Sequence, residues 1–140
     1  EKNVDPNFGA NHALEPIADP ANTGDGYVDN WVVYGGFDGF QVTTAKELTI
    51  QPKVKVTIKD NGASGVIVMQ GRGRIGKLNV ETPALIRFGQ MTEDEVFISA
   101  EAAKAGVEIE NHSEADPLVL LRYFGPEVNP QAPEVGDHKK

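Results

Sequence analysis

Seven short runs of β-branched and aromatic residues, cut apart by glycine, proline, asparagine and aspartate, lie between Tyr27 and Phe124 and constrain this chain more than any other feature. They are Tyr27–Tyr34, Phe40–Ile50, Val54–Ile58, Gly65–Gln70, Val96–Ser99, Val107–Asn111 and Leu118–Phe124. Strands this close together bury their apolar faces by closing into a sandwich or barrel. In residues 53–59, Val54, Val56 and Ile58 alternate with Lys55, Thr57 and Lys59, the pattern of a half-buried strand. Gly65–Gln70 is apolar at almost every position, which predicts a strand buried on both faces. Gln51-Pro52-Lys53, Asp60-Asn61-Gly62 and Gly71-Arg72-Gly73 read as turns, the second as a hairpin turn. Glu101–Ala105 alone reads as helix, of a turn or two.

A chain of 140 residues suits one domain, with 15 Gly and 9 Pro to serve many turns. Prolines and Gly24-Asp25-Gly26 mark residues 1–26 as an extended arm, residues 27–125 form the barrel, and 126–140 are a tail expected to be mobile past about Pro133. With no Cys there is no disulfide framework, thiolate metal site or cysteine nucleophile. A net charge of −8 opposes binding to nucleic acid, which needs a concentrated basic face. No apolar run approaches the roughly 20 residues of a membrane span, so a cytoplasmic location is expected. Asn111-His112-Ser113 matches a glycosylation sequon, a three-residue match that carries little by itself.

Three stretches carry a family resemblance. Gly65–Gly73 resembles the cupin strand that ends in a Gly-x-Gly turn. Glu93–Ala100 is similar to the cupin stretch Gly-Asp-x-Val-Phe-Ile-Pro-Ala. Asn111-His112-Ser113 followed by Pro117–Arg122 resembles the closing strand pair. Their order and spacing cover residues 45–124 and imply an all-β, cupin-type double-stranded β-helix (a jelly-roll barrel) with extended arms. Within that superfamily the chain looks most like the C-terminal cupin domain of type I mannose-6-phosphate isomerases, which similarly lacks the metal site.

The resemblance also gives the positions where cupins hold their metal. The first motif, Gly-x5-His-x-His-x3-Glu-x6-Gly, is anchored on Gly71 and places its ligands at Ile58, Asp60 and Ser64, with Pro52 for the leading glycine. The second, anchored on Asn111, places its histidine at Val107, with Glu101–Ala105 absorbing three extra residues. Only Asp60 suits a divalent ion, whereas a catalytic metal takes about three protein ligands. No metal and no cofactor is therefore expected. Glu108, Glu110 and His112 alternate on one strand face, which is expected to be a solvated outer face. His12 could reach the barrel only if the arm folds inward, and His138 lies in the tail.

Other motifs are weaker. Gly71-x-Gly73-x-x-Gly76 matches a dinucleotide fingerprint, but the β-branched stretch 77–83 offers no helix N-terminus for a pyrophosphate. Arg72, Arg74, Lys77 and Arg87 form a basic island, balancing surface charge or, through Arg72 and Arg74, contacting an anion. No Gly-x-Ser-x-Gly elbow occurs. Trp31 and Tyr34 fit a core better than a sugar-stacking platform.

The sequence thus supports a metal-free cupin domain that binds a small, sugar-like molecule or serves assembly within a sugar-isomerase-like protein. A polar ligand would meet Lys59, Asp60, Ser64 and Asn111 at the barrel mouth, through hydrogen bonds to hydroxyl groups. The rivals are an active sugar or sugar-phosphate isomerase, or another small-molecule cupin enzyme, using Asp60, Lys59 and His12, and a purely structural domain that forms homodimers through its sheet. Ile58, Val107 and Ile109 are expected inside the barrel, with Val66, Val68, Leu118 and Leu120 in its core layers; a slip of one residue would reverse all of them.

Overall fold

The computed structural model describes residues 6, 7, 9, 13–36 and 38–135, so His12 and His138 lie outside the described residues. Nine strands are present among these: β1 Ile17–Ala18, β2 Tyr27–Val33, β3 Thr44–Ile50, β4 Lys55–Ile58, β5 Ser64–Ile75, β6 Leu78–Thr82, β7 Glu95–Ile98, β8 Val107–Asn111 and β9 Leu118–Phe124. A 3-10 turn spans Pro20–Asn22, and one helix, α1, spans Ala100–Ala105 with Ser99 as its N-cap. Every pairing is antiparallel.

Two sheets share β5. Its first half pairs with β7 and β9, extending the larger sheet through β3, β2 and β1. Its second half pairs with β6 and β8, and β8 pairs with β4, making the smaller sheet. The two inner faces enclose a core that includes Leu48, Ile50, Val56, Ile58, Val68, Val80, Ile109 and Leu120. The expected strand phases hold. Ile58, Ile109, Val66, Val68, Leu118 and Leu120 are buried, while Val107, at the start of β8, is half-buried and packs against the core.

Gly71-Arg72-Gly73 is not a turn. β5 runs straight through it for 12 residues, its register with β9 shifting between Val68 and Gln70, and the reversal comes at Gly76-Lys77. The glycines serve this passage from sheet to sheet. Gly71 has φ 90°, and a Cβ there would stand 2.7 Å from the Pro117 carbonyl oxygen. A Cβ on Gly73 would collide with the Glu110 carbonyl of β8. Strand β6, which follows, has no helix N-terminus to offer a phosphate. Asp60-Asn61-Gly62 is likewise not a hairpin turn, because β4 pairs with β8 while β5 pairs with β7 and β9, so the loop crosses between sheets. Residues 40–43 lead into β3 rather than belonging to it.

Both flanking segments pack on the barrel. In the arm, β1 pairs with the edge of β2, and Tyr34 Oη donates to the Glu15 carbonyl (2.7 Å). After β9, Asn129 is buried and its Nδ2 donates to Thr44 Oγ1 (2.9 Å), while Gln41 bonds the Asn129 carbonyl.

Candidate functional site

Period-two alternation puts each second residue of a strand on the inner face. On β9 that series is Leu118, Leu120, Arg122 and Phe124; on β3 it is Thr44, Lys46, Leu48 and Ile50; on β2 it includes Asp29 and Trp31. Two cations thus enter the interior, beside the buried Asp29 and Thr44. Lys46 pairs across the sheet with Trp31 on one side and Arg122 on the other, and Arg122 pairs with Val66, so one rung holds Trp31, Lys46, Arg122 and Val66.

Three carboxylates meet these cations. Arg122 donates to both Asp29 and Asp60, one through each terminal nitrogen. The Lys46 ammonium lies against Asp19 and within 3.4 Å of Asp60 and 3.6 Å of Asp29. It also stands 4.3 Å from the centre of the Trp31 ring. Lys46 and Arg122 are 1% and 0% exposed, and the side chains of Asp19, Asp29 and Asp60 are 5%, 0% and 5% exposed. Such charges are tolerated inside only when paired. Around them, Asp29 Oδ1, Arg122 Nε and Ser64 Oγ are buried without a hydrogen-bond partner among the described residues. Ser64 lies opposite Phe124, one inward step from Arg122.

The cluster holds three carboxylates and two cations. Burial raises the Asp29 carboxyl above its ordinary 3.8, against the opposing pull of Arg122 and Lys46. The native state therefore binds this proton more readily than the unfolded chain. The resulting stabilisation is full below pH 3.8 and declines as the pH rises through the Asp29 value. In a carbon-detected NMR titration Asp29 is expected to titrate above 3.8. A midpoint at or below it would mean that attraction to Arg122 outweighs burial.

The positions inferred from the family motif do not converge on a metal. Ile58 is a buried core residue and Val107 packs beside it. Asp60 is held by Arg122 and Lys46, and among the described residues no group of three metal-ligating side chains occurs. The donors do not fit an ion, since the one carboxylate at these positions already faces two protein cations.

The expected polar mouth is also divided. Lys59 points outward, its stem beside Gly106, and Asp60 points inward. Asn111 is buried at the other end of the barrel, donating to the carbonyls of Ile50 and Asp116 (2.9 Å each) and accepting from the Ser113 amide (2.8 Å). Ile50 is four residues along β3 from Lys46, roughly 13 Å at the rise of an extended strand. With both ends of its amide engaged, Asn111 is not accessible as a glycosylation acceptor. Arg74 donates to Glu108 (2.8 Å) and Glu110 (2.9 Å), holding the Glu110 carboxyl below the usual range, while Arg72 is exposed. Trp31 and Tyr34 are buried, Trp31 as the platform for Lys46. Among the described residues no helix is long and apolar enough to cross a membrane.

Asp19, Asp29, Lys46 and Arg122 were not legible as site residues from motif spacing. The signal that marks three of them is phase, since Asp29, Lys46 and Arg122 each fall on the apolar beat of their strand.

No protein-family model and no curated protein matches the chain. Solved structures do. The polyketide cyclase RemF from Streptomyces resistomycificus superposes with a TM-score of 0.54 at 11% identity, over 89% of this chain and 82% of that one. A chain of the Rhodobacter sphaeroides complex of SigE with the anti-sigma ChrR gives 0.52 at 15% identity, over 79% of this chain and 48% of that one. An RmlC-like cupin from Ralstonia eutropha gives 0.50 at 10% identity, over 79% and 63%. The chain thus spans less than two thirds of the length of the last two. Sheet topology and structural likeness agree that this chain folds as a cupin-type jelly-roll barrel.

Proposed function

We propose that this is a metal-free cupin domain that works as an assembly module, pairing with a second copy through the outer face of its larger sheet. The observation that carries the reading is that the outward side chains of β9 and of the first half of β5 are all apolar, on a face that is half-buried to exposed. Their outward residues are Ile67 and Met69 on β5 and Val119, Leu121 and Tyr123 on β9. An antiparallel sheet with one solvated face would alternate apolar with polar residues instead.

Beside them, Phe97 of β7 is exposed, and Met91 shares a shallow groove with Phe97 and Tyr123. The same loop presents Leu85, Ile86 and Phe88. An aromatic side chain buries about 150–250 Å² when covered, so Phe88, Phe97 and Tyr123 alone offer on the order of 500 Å². Patches of this size mark interaction surfaces.

A sugar-binding mouth has less support, because Lys59, Asp60, Ser64 and Asn111 do not share one opening. The isomerase reading is weaker for the same reason, since Asp60 is engaged by two cations and Lys59 points away from it.

Sedimentation velocity at tens of micromolar is expected to show a dimer. Met69→Lys with Phe97→Glu should convert it to monomer with little change in the urea midpoint of the monomer fold, since surface substitutions shift stability by about 0.5 kcal/mol or less. A wild-type chain that sediments as a monomer would end this reading.

A further inference from the structure

We propose that the Lys46–Arg122 pair is a closed binding site for a small carboxylate, in which the Asp19 carboxylate of the arm holds the ligand's place. This site is inside the barrel and is independent of assembly through the outer face.

The provenance of the five charged residues is unequal. Asp29, Lys46 and Arg122 stand on strands of the barrel wall, and Asp60 follows β4 directly. Asp19 alone comes from the arm. The arm is held there by the two-residue strand β1, by the Asp19 amide donating to the Asp29 carbonyl (2.7 Å), by Asn22 Nδ2 donating to the Lys59 carbonyl (3.0 Å), by Tyr34 Oη donating to the Glu15 carbonyl (2.7 Å) and by the Asp29 amide donating to Thr23 Oγ1 (3.1 Å). β1 is the outermost strand of its sheet. A sheet-edge segment paired on one side only belongs to the low-stability end of a structure and can open without unfolding the rest.

Opening removes the nearest anion from Lys46. Asp29 and Asp60 remain, but both are engaged by Arg122. The vacated space is that of a carboxylate on a short stem beside the Lys46 ammonium, which itself stands 4.3 Å from the centre of the Trp31 ring and 5.9 Å from that of Phe124. Arg122 Nε and Ser64 Oγ, buried and unpartnered among the described residues, stand on the Lys46 rung and the inward rung next to it, and the Asp19 side chain uses neither. This combination suits an acetate-sized acid, or one slightly longer that carries a hydroxyl, and it excludes bulky ligands. A tethered Asp19 competes at high effective concentration, so a free acid binds the intact chain weakly.

The probe is sodium acetate, with sodium chloride at equal ionic strength and inorganic phosphate as comparisons. The readouts are the thermal midpoint and the fluorescence of Trp31, the single tryptophan of the chain. Asp19→Ala lowers the midpoint, partly because Asp19 also caps the 3-10 turn through the Ala21 amide. Acetate is expected to restore part of that loss saturably, at least tenfold more tightly than it acts on the wild type, and Lys46→Met in the Asp19→Ala background should abolish the effect. In the wild type, saturating acetate should speed hydrogen exchange at the Asp19 amide without affecting core amides, a readout that does not depend on the variant folding. The proposal is overturned if acetate acts no better than chloride on Asp19→Ala, if the double variant responds equally, if phosphate binds and acetate does not, or if exchange at Asp19 is unmoved in the wild type.

Discussion

Replacing Arg122 with Met is expected to lower the stability of the fold by about 3–5 kcal/mol, the usual consequence of removing one partner from a buried ion pair. One side chain satisfies two carboxylates here, because its terminal nitrogens reach Asp29 and Asp60 separately. Met fills most of the volume but leaves both carboxylates facing an apolar interior. The loss should therefore be electrostatic, and neutralising the orphans should reverse it. Adding Asp29→Asn and Asp60→Asn to Arg122→Met is expected to recover most of the urea midpoint. Arg122→Lys should be only a partial substitute, since an ammonium lacks the planar fork that serves two acids at once. If the triple variant were no more stable than Arg122→Met, packing rather than charge would be the role of this arginine.

Lys46→Met should cost a similar amount, about 3–5 kcal/mol near neutral pH, with a distinct pH signature. The substitution leaves three carboxylates sharing one guanidinium. Burial raises the Asp29 carboxyl against the pull of Arg122 and Lys46, and removing Lys46 takes away one of those opposing cations, so the folded variant binds a proton at Asp29 more readily than the wild type does. That contribution is fullest below the ordinary carboxylate range, about pH 4, and is lost as the pH rises through the raised Asp29 value. The exposed pairs Arg74–Glu110 and Lys53–Glu114, whose acids sit below their usual range, lose their contribution as the pH falls in both proteins. The difference between variant and wild type isolates the interior. Urea midpoints at pH 4.5 and 7.5 should show the gap narrowing at the lower value, and a constant gap would contradict this account.

Much of the fold was legible along the chain. The alternation in residues 53–59 put Ile58 inside, and Ile58 is buried, with Lys55 and Thr57 exposed beside it. The Gly65–Gln70 run read as a strand buried on both faces, and the structure corrects this: Val66 and Val68 are buried on the inner face, whereas Met69 on the outer face is exposed, because no second layer packs against that side of the strand among the described residues. The reading failed where one residue type serves two purposes. Glycine marks turns, so Gly71-Arg72-Gly73 read as one, whereas there it permits β5 to cross under the carbonyls of Pro117 and Glu110. Asp60-Asn61-Gly62 read as a hairpin for the same reason, although its aspartate turns inward to two cations.

The site was legible only in fragments. Asp60 and Ser64 were singled out by motif spacing, and both lie at the polar end of the barrel, but Asn111 fell with the other end. Lys46 and Arg122 carry a signal that a phase count exposes, a charge on the apolar beat of a strand. Nothing in that count names their partners.

By itself, then, the sequence determined the strands and most of their inward faces, because period-two alternation and residue chemistry act over a few neighbours. Only the tertiary structure decided that Asp29 meets Arg122 across 93 positions, and that the arm delivers Asp19 to Lys46 across 27. Those encounters depend on which strands pair and where the arm crosses the barrel, and that order is set by the joint packing of all the strands at once.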